Sequence, residues 1–300
     1  MKKLAIIGGN GMLGSDLRTA AAASGWTVQI YDLPDFQITN AMQLEKALES
    51  CDCAVNCAAY TAVDKAESEP ELCEEVNALA VGELGRIAAK AGKYVIHIST
   101  DFVFGDLTGS PQNETDLPNP LSVYGRTKLH GEQLLADSGC HCAIIRIEWT
   151  YGRHGSNFIS KILALAAERE SLQVISNQTG APTATTDVAR AILCFLDHKT
   201  EGLYHFAADG FASRHEVAEF IVRQAQLETR VFPCPSSAFP TPAARPGNSK
   251  FDCTKIDRIL NFKRPSWQDA LADFISALKG SVKSDMKEMK EKMTESCKLK

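Results

Sequence analysis

The chain has 300 residues, 44% of them hydrophobic and 23% charged, with a formal net charge of -5. It is long enough to bury its own core, and the negative balance argues against nucleic acid as a partner. No apolar run approaches the roughly 18–20 residues of a membrane span. The basic start MKK runs into LAII, too short an apolar stretch for a secretory signal, so a cytoplasmic protein is expected.

LAII reads as a buried first strand over residues 3–7, and it ends in GGNGMLG. Two glycine spacings overlap there. Gly9, Gly11 and Gly14 fit G-x-G-x-x-G, and Gly8, Gly11 and Gly14 fit G-x-x-G-x-x-G. A helix is expected over 15–24, with Leu17, Ala20 and Ala21 on one face and Gly25 as its stop. The β-branched run 27–31 is a second strand, ending at Asp32. A short helix over 44–48, a third strand over 54–57 and a long helix over 72–91 follow. YVIHI (94–98) is a fourth strand, 124–137 a helix and AIIRI (143–147) a fifth strand.

Apolar strands alternating with helices predict an α/β fold, a Rossmann-type doubly wound parallel sheet with both faces covered. Ligands bind at the carboxyl ends of such strands, and GGNGMLG, AAY (58–60) and STD (99–101) all fall at such ends. Beyond residue 148 the rhythm loosens. Helices are expected over 158–168, 186–196 and 214–226, with short strands over 172–175 and 203–206. The proline-rich VFPCPSSAFPTPAARPGN excludes regular structure, and 267–278 reads as a closing helix. The expected organisation is a dinucleotide unit over 1–147, joined by 178–200, and a smaller C-terminal substrate lobe within 148–279. The polar tail 280–300, with Met286, Met289 and Met293 at helical spacing, is given no function.

Ten cysteines include C-x-C-x3-C at Cys51, Cys53 and Cys57 and C-x-C at Cys140 and Cys142, without any C-x-x-C pair. They read as small buried residues of a reducing compartment. His130, His154, His205 and His215 show no metal spacing, and His97, inside YVIHI, reads as a core histidine.

The chemistry gathers at the strand ends. A glycine turn lets backbone N–H groups approach a pyrophosphate, with the positive end of the next helix behind them. Asp32 lies eighteen residues after Gly14, where an acid can bind a ribose 2′-hydroxyl; that position favours NADH over NADPH. YGRTK sets Tyr124 and Lys128 at i and i+4, on one helix face. A neighbouring ammonium is expected to lower the phenol pKa from near 10 towards the working pH. Thr100 is the hydroxyl expected beside Tyr124, with Ser99 and Asp101 secondary. Together these residues predict hydride transfer between a nicotinamide and a carbonyl or alcohol, with Tyr124 supplying the proton.

NCAAYTAVDKAESEP (56–70), STDFVF (99–104), NPLSVYGRTKLHGE (119–132), NFISKILALAAERESLQVISNQTGAPT (157–183) and ARPGNSKFD (244–252) resemble the dTDP-4-dehydrorhamnose reductase family of extended short-chain dehydrogenases/reductases. The resemblance runs in order from residue 3 to about 275. It implies reduction of the C4 ketone of dTDP-4-dehydro-L-rhamnose with NADPH or NADH, a step towards cell-surface polysaccharide. It implies Thr100, Tyr124 and Lys128 as the catalytic set. Gly8, Gly11, Met12 and Leu13 would line the pyrophosphate, and Asp32, Asp35 and Phe36 the adenosine. Ala58, Ala59 and Tyr60 would lie under the cofactor, with Asn77 nearby and Ser99, Tyr124 and Lys128 around it. Thr61, Val63, Thr100, Asp101, Tyr124 and Trp149 would face the sugar, and Asn157 and Arg245 the nucleotide or diphosphate.

Two departures bear on this. The strand ends Arg146-Ile147-Glu148-Trp149 where the family pattern has a small residue before tryptophan, which sets an acid near an anionic substrate. Some relatives dimerise around magnesium held by acids; Asp16 falls near one such position and the others do not match, so no metal is predicted. The competing readings are a related 4-keto-6-deoxysugar reductase or epimerase, and a non-catalytic dinucleotide-binding subunit. Phe102 after Thr100-Asp101 speaks against a dehydratase, which needs an acid there.

Overall fold

The computed structural model describes residues 2–105 and 109–278. β1 (Lys3–Ile7) leads through the glycine turn into α1 (Met12–Ala23), followed by β2 (Thr27–Tyr31), α2 (Ala41–Glu49) and β3 (Cys53–Asn56). One-turn α3 (Val63–Ala66) and α4 (Pro70–Glu74) precede a π turn (Glu75–Leu79) that runs into α5 (Ala80–Ala91). β4 (Tyr94–Thr100), α6 (Val123–Asp137) and β5 (His141–Ile147) complete the first half.

The second half holds β6 (Thr150–Tyr151), α7 (Phe158–Glu168), β7 (Ser171–Ile175), β8 (Thr179–Gly180), β9 (Thr183–Ala184) and α8 (Thr185–His198). It continues with β10 (Gly202–Phe206), β11 (Ala212–Ser213), α9 (Arg214–Ala225), β12 (Arg230–Cys234), α10 (Thr254–Asp257) and α11 (267–278).

Six strands form one parallel sheet in the order β10-β5-β4-β3-β1-β2. The strand order reverses between β1 and β3, so a crevice opens at their carboxyl ends. Alternation explains why these strands read as unbroken apolar runs: successive side chains enter different cores. Leu4 and Ile6 join Leu13, Leu17 and Ala21 of α1 and Val188, Ile192 and Phe195 of α8 on one face. Ala5 and Ile7 join Leu44 and Leu48 of α2 and Val81, Leu84 and Ala88 of α5 on the other. A third core gathers Tyr151, Ile159 and Ile162 with Val217, Ile221, Trp267 and Leu271 in the C-terminal lobe.

Two expectations change. The helix expected over 72–91 is interrupted by the π turn, which widens the backbone by one residue and re-aims Asn77. The segment returning to the sheet extends past residue 200, because β10 pairs with β5 as the sixth strand. The tail 280–300 lies outside the described residues. No helix of the described residues is long and apolar enough to cross a membrane.

Candidate active site

The glycine turn closes the carboxyl end of β1. Gly8 has φ +75°, and a Cβ on it would stand 2.6 Å from the Ala58 backbone nitrogen. A side chain there would fill the crevice between β1 and β3. Gly14 is pressed against Gly8 O, so the helix approaches the turn only because both residues lack side chains. α1 starts at Met12 behind Gly11, which has no side chain to cap it, and no acid lies in the first turn. Its positive end is therefore left for an anion. The turn fits a dinucleotide pyrophosphate. Leu13 contributes backbone only, since its side chain is in the core.

Beside the turn, a cavity of about 310 Å³ is lined by Asn10, Asp32, Asp35, Phe36 and Lys46, among others. Asp32 holds the turn: its Oδ2 accepts from Asn10 N at 2.7 Å and its Oδ1 from Leu33 N at 2.8 Å. Phe36 is mostly buried and packs on Tyr31 at 5.2 Å between ring centroids. Lys46, on α2, stands in the same wall and was not singled out from the sequence. A lone surface lysine on a helix carries no distinguishing spacing.

The loop after β3 is fixed by Asn77. Its Oδ1 accepts from Tyr60 N at 2.8 Å and its Nδ2 donates to Tyr60 O at 3.1 Å. Asn77 thus clamps the loop that the resemblance places under the cofactor. Tyr60 donates its hydroxyl to Glu69 at 2.6 Å, and this hydrogen bond pushes the phenol up to about 12. Thr61 is exposed and Val63 half-buried at the start of α3.

The start of α6 is pinned against the end of β4. Ser122 caps it by accepting from Gly125 N at 3.1 Å, and a Cβ on Gly125 would strike Phe102 O. The close approach places Tyr124 beside Thr100. The Thr100 hydroxyl is near enough to favour the ionised phenol. Thr100 in turn donates to Asp101 Oδ1 at 2.9 Å, while Ser249 donates to Asp101 Oδ2 at 2.5 Å. Asp101 therefore orients Thr100, and burial holds its carboxyl above the usual range.

The expectation for the Tyr124 phenol is overturned. It is pushed up, by burial first and by the Asp101 charge second, against the Thr100 hydroxyl. The Lys128 Nζ is held against β4. Its Nζ donates to Ile98 O at 2.7 Å and lies 3.1 Å from His97 Nε2. Lys128 is 1% exposed, and burial brings its pKa down to about 8. His97, read as a core histidine, is indeed fully buried, yet it touches the lysine of the predicted catalytic set.

Ser99 points to the α6 side of the sheet, where its hydroxyl donates to Glu132 next to the Glu132–Arg146 ion pair at 2.6 Å. Strand alternation explains why Ser99 and the adjacent Thr100 part company. Its side chain supports that ion pair. Asn157 is likewise taken up locally. It caps α7, accepting from Ser160 N at 3.1 Å and donating to Gly152 O at 2.9 Å. Arg245 pairs with Asp64 at 2.7 Å, tying the proline-rich loop to α3. Asp16 accepts a hydrogen bond from Thr185, an interaction within the fold.

On the lobe side, Trp149 adopts φ +44° and the Arg214 guanidinium stacks over its ring at 3.5 Å. Glu148 is fully buried, with Oε2 accepting from Ala181 N at 2.9 Å. It is turned away from the cleft into the GAPT turn. Burial and the Asp101 charge hold its carboxyl well above the usual range, and the Arg214 charge opposes them. Burial brings Arg214 down to about 10, against the charges of Asp101 and Glu148. Arg214 is the residue that the sequence concealed. It opens an ordinary helix after the capping Ser213, and only the fold brings it to Asp101.

A family model described as "RmlD substrate binding domain" matches residues 1–279. The dTDP-4-dehydrorhamnose reductase of Sinorhizobium fredii is 35% identical over 291 residues, covering 92% of this chain and 97% of its own. That of Salmonella typhimurium is 42% identical over 228 residues, covering 72% and 76%. The crystal structure of a dTDP-4-dehydrorhamnose reductase from Clostridium acetobutylicum superposes with a TM-score of 0.89 at 33% identity, covering 92% of this chain and 99% of that one. One from Bacillus anthracis, in complex with NADP, gives 0.88 at 30% identity, covering 92% and 99%.

Proposed function

The chain belongs to the dTDP-4-dehydrorhamnose reductase family, and from this premise we propose how its residues divide the work of reducing a sugar-nucleotide ketone with NAD(P)H. The substrate is dTDP-4-dehydro-L-rhamnose and the product dTDP-L-rhamnose. The nicotinamide, when bound, supplies the hydride that reaches C4. Tyr124 holds its proton at Oη and delivers it to the C4 oxygen as that oxygen gains charge. A phenol raised by burial stays protonated at neutral pH, as a proton donor must. Thr100, steered by Asp101, offers the hydroxyl that positions the carbonyl against Oη. Lys128 holds the ribose side of the cofactor and restores the proton to Tyr124.

The glycine turn takes the pyrophosphate, and the cavity at Asp32, Asp35 and Phe36 takes the adenosine. Asp32 and Lys46 share that wall, so a 2′-phosphate meets one acid and one base, and both NADPH and NADH are accepted. Ala58, Ala59 and Tyr60 form the floor under the nicotinamide. Thr61, Val63 and Trp149 border the sugar. Arg214, stacked on Trp149, faces the substrate diphosphate. The assignment carries with it a cytoplasmic place and the sugar nucleotide as small-molecule partner. Homodimerisation is read by sedimentation of the purified protein.

The observation that carries this reading is Tyr124 set beside Thr100 at the carboxyl end of β4, with the Thr100 hydroxyl held by Asp101. Oxidation of NADH and NADPH, followed optically with dTDP-4-dehydro-L-rhamnose generated in situ, tests it. Oxidation that depends on the sugar is expected. Tight dinucleotide binding without oxidation would overturn the reductase in favour of a binding subunit.

A further inference from the structure

Behind the catalytic helix, four polar groups form a buried line. Ala58 N donates to Asn56 Oδ1 at 3.0 Å. Asn56 Nδ2 lies 3.1 Å from His97 Nδ1, and His97 Nε2 lies 3.1 Å from Lys128 Nζ. Asn56 and His97 are 0% exposed and Lys128 1%. Groups this deep satisfy their hydrogen bonds from one another.

The direction of the line follows from counting protons. A backbone N–H can only donate, so it fixes Asn56 Oδ1 as acceptor and turns the NH2 group to the ring. An amide NH2 can only donate, so His97 Nδ1 carries the lone pair. Neutral imidazole has one N–H, which therefore sits on Nε2 and points at Lys128. Only an uncharged amine can receive it, because an ammonium has three donors and no lone pair. Burial, which depresses the ring, keeps the imidazole neutral.

We propose that His97 and Asn56 are positioning residues that set the protonation of Lys128, with the Ala58 N–H fixing the polarity of the whole line. The proposal rests on the reductase reading only for what that lysine then does. Charging Lys128 requires the line to reverse. Nζ donates to Nε2, the ring proton moves to Nδ1, the Asn56 amide turns, and the Ala58 N–H loses its acceptor. The charge on the lysine is thus coupled to the backbone of the loop that floors the cofactor site.

The other groups facing Lys128 act through charge. Glu132 lies on its own helix, Cys57 follows β3 and Cys73 is on α4. Glu132 is already paired with Arg146. Poised between the two polarities of the line, the lysine can both give a proton to Tyr124 and regain one.

The test begins with the wild-type full chain labelled with 15N-histidine, with the His97 signals assigned by their loss in His97→Gln. Long-range 1H–15N correlations are expected to show Nε2 protonated and Nδ1 bare; a proton on Nδ1 would overturn the proposal. Asn56→Asp then reverses the line, because a carboxylate accepts from both Ala58 N–H and His97 Nδ1–H. The His97 proton should move to Nδ1, and the Lys128 titration, followed with 13Cε-lysine, should rise by about one pH unit or more. The alkaline limb of kcat should move with it. A tautomer unchanged in Asn56→Asp counts against the line. A wild type showing the expected tautomer but no sugar-dependent oxidation counts against the reductase reading alone.

Discussion

At the glycine turn of β1 the site presents backbone N–H groups, because Gly8 and Gly14 have no room for a Cβ. On the lobe side, side chains are gathered from distant parts of the chain. Asp101 ends β4, Trp149 follows β5, Arg214 opens α9 and Ser249 lies past the proline-rich loop. A backbone site is specified by spacing within a dozen residues. A side-chain site is specified by the packing of the entire second lobe, and it can change sign or specificity by single substitutions.

The sharpest break in this comparison is Tyr124→Phe, which removes a proton from the side-chain wall and leaves the backbone wall intact. The kcat is expected to fall by about 10²–10⁴-fold. The dinucleotide Kd, read by fluorescence titration, should stay within about twofold. Arg214→Met comes next. Loss of a charge-assisted contact should raise KM for the sugar nucleotide by about 10–100-fold, with dinucleotide affinity unchanged. An unchanged KM would remove Arg214 from the substrate wall.

Lys46→Gln probes the cation that lines the cavity at Asp32. It should lower kcat/KM for NADPH by about five- to tenfold while leaving NADH unaffected. The smallest effect expected is on stability. Above the ordinary carboxylate pKa, the unfolded chain gives up the Glu148 proton while the folded protein keeps it, so stability falls as pH rises. Glu148→Gln removes that slope. Its Tm should exceed that of the wild type by a gap that widens between about pH 5 and pH 8. A constant gap would mean that the carboxyl is ionised in the fold.

The same contrast explains what was legible in the sequence. β1, β2 and α7 were predicted to the residue, because a short apolar strand and a capped amphipathic helix are local matters. The Tyr124–Lys128 face and the glycine turn were equally plain. The partner of Lys128 was not, because His97 looks like any apolar-strand histidine until α6 is laid across β4. Arg214 was missed, and Asn157 and Arg245 were given to the ligand, because nothing in one sequence says whether a polar side chain caps a helix or faces a cleft. Glu148 signalled a departure by type, and only the fold shows that it points inwards.

The π turn at Glu75–Leu79 makes the helical span 70–91 one residue longer than an uninterrupted α-helix would need. Deleting Val76 would leave a continuous α-helix of ordinary length, its two halves keeping their phase and only the outward bulge at Asn77 lost. α5 could keep its apolar face on the sheet, but Asn77 would swing away from Tyr60, and the contact of Gly131 with the Asn77 backbone would no longer seat α6. The extra residue works as a shim: it sets the gap between the helix carrying Tyr124 and the loop beneath the nicotinamide, and its removal would leave a folded protein whose two halves of the site are out of alignment.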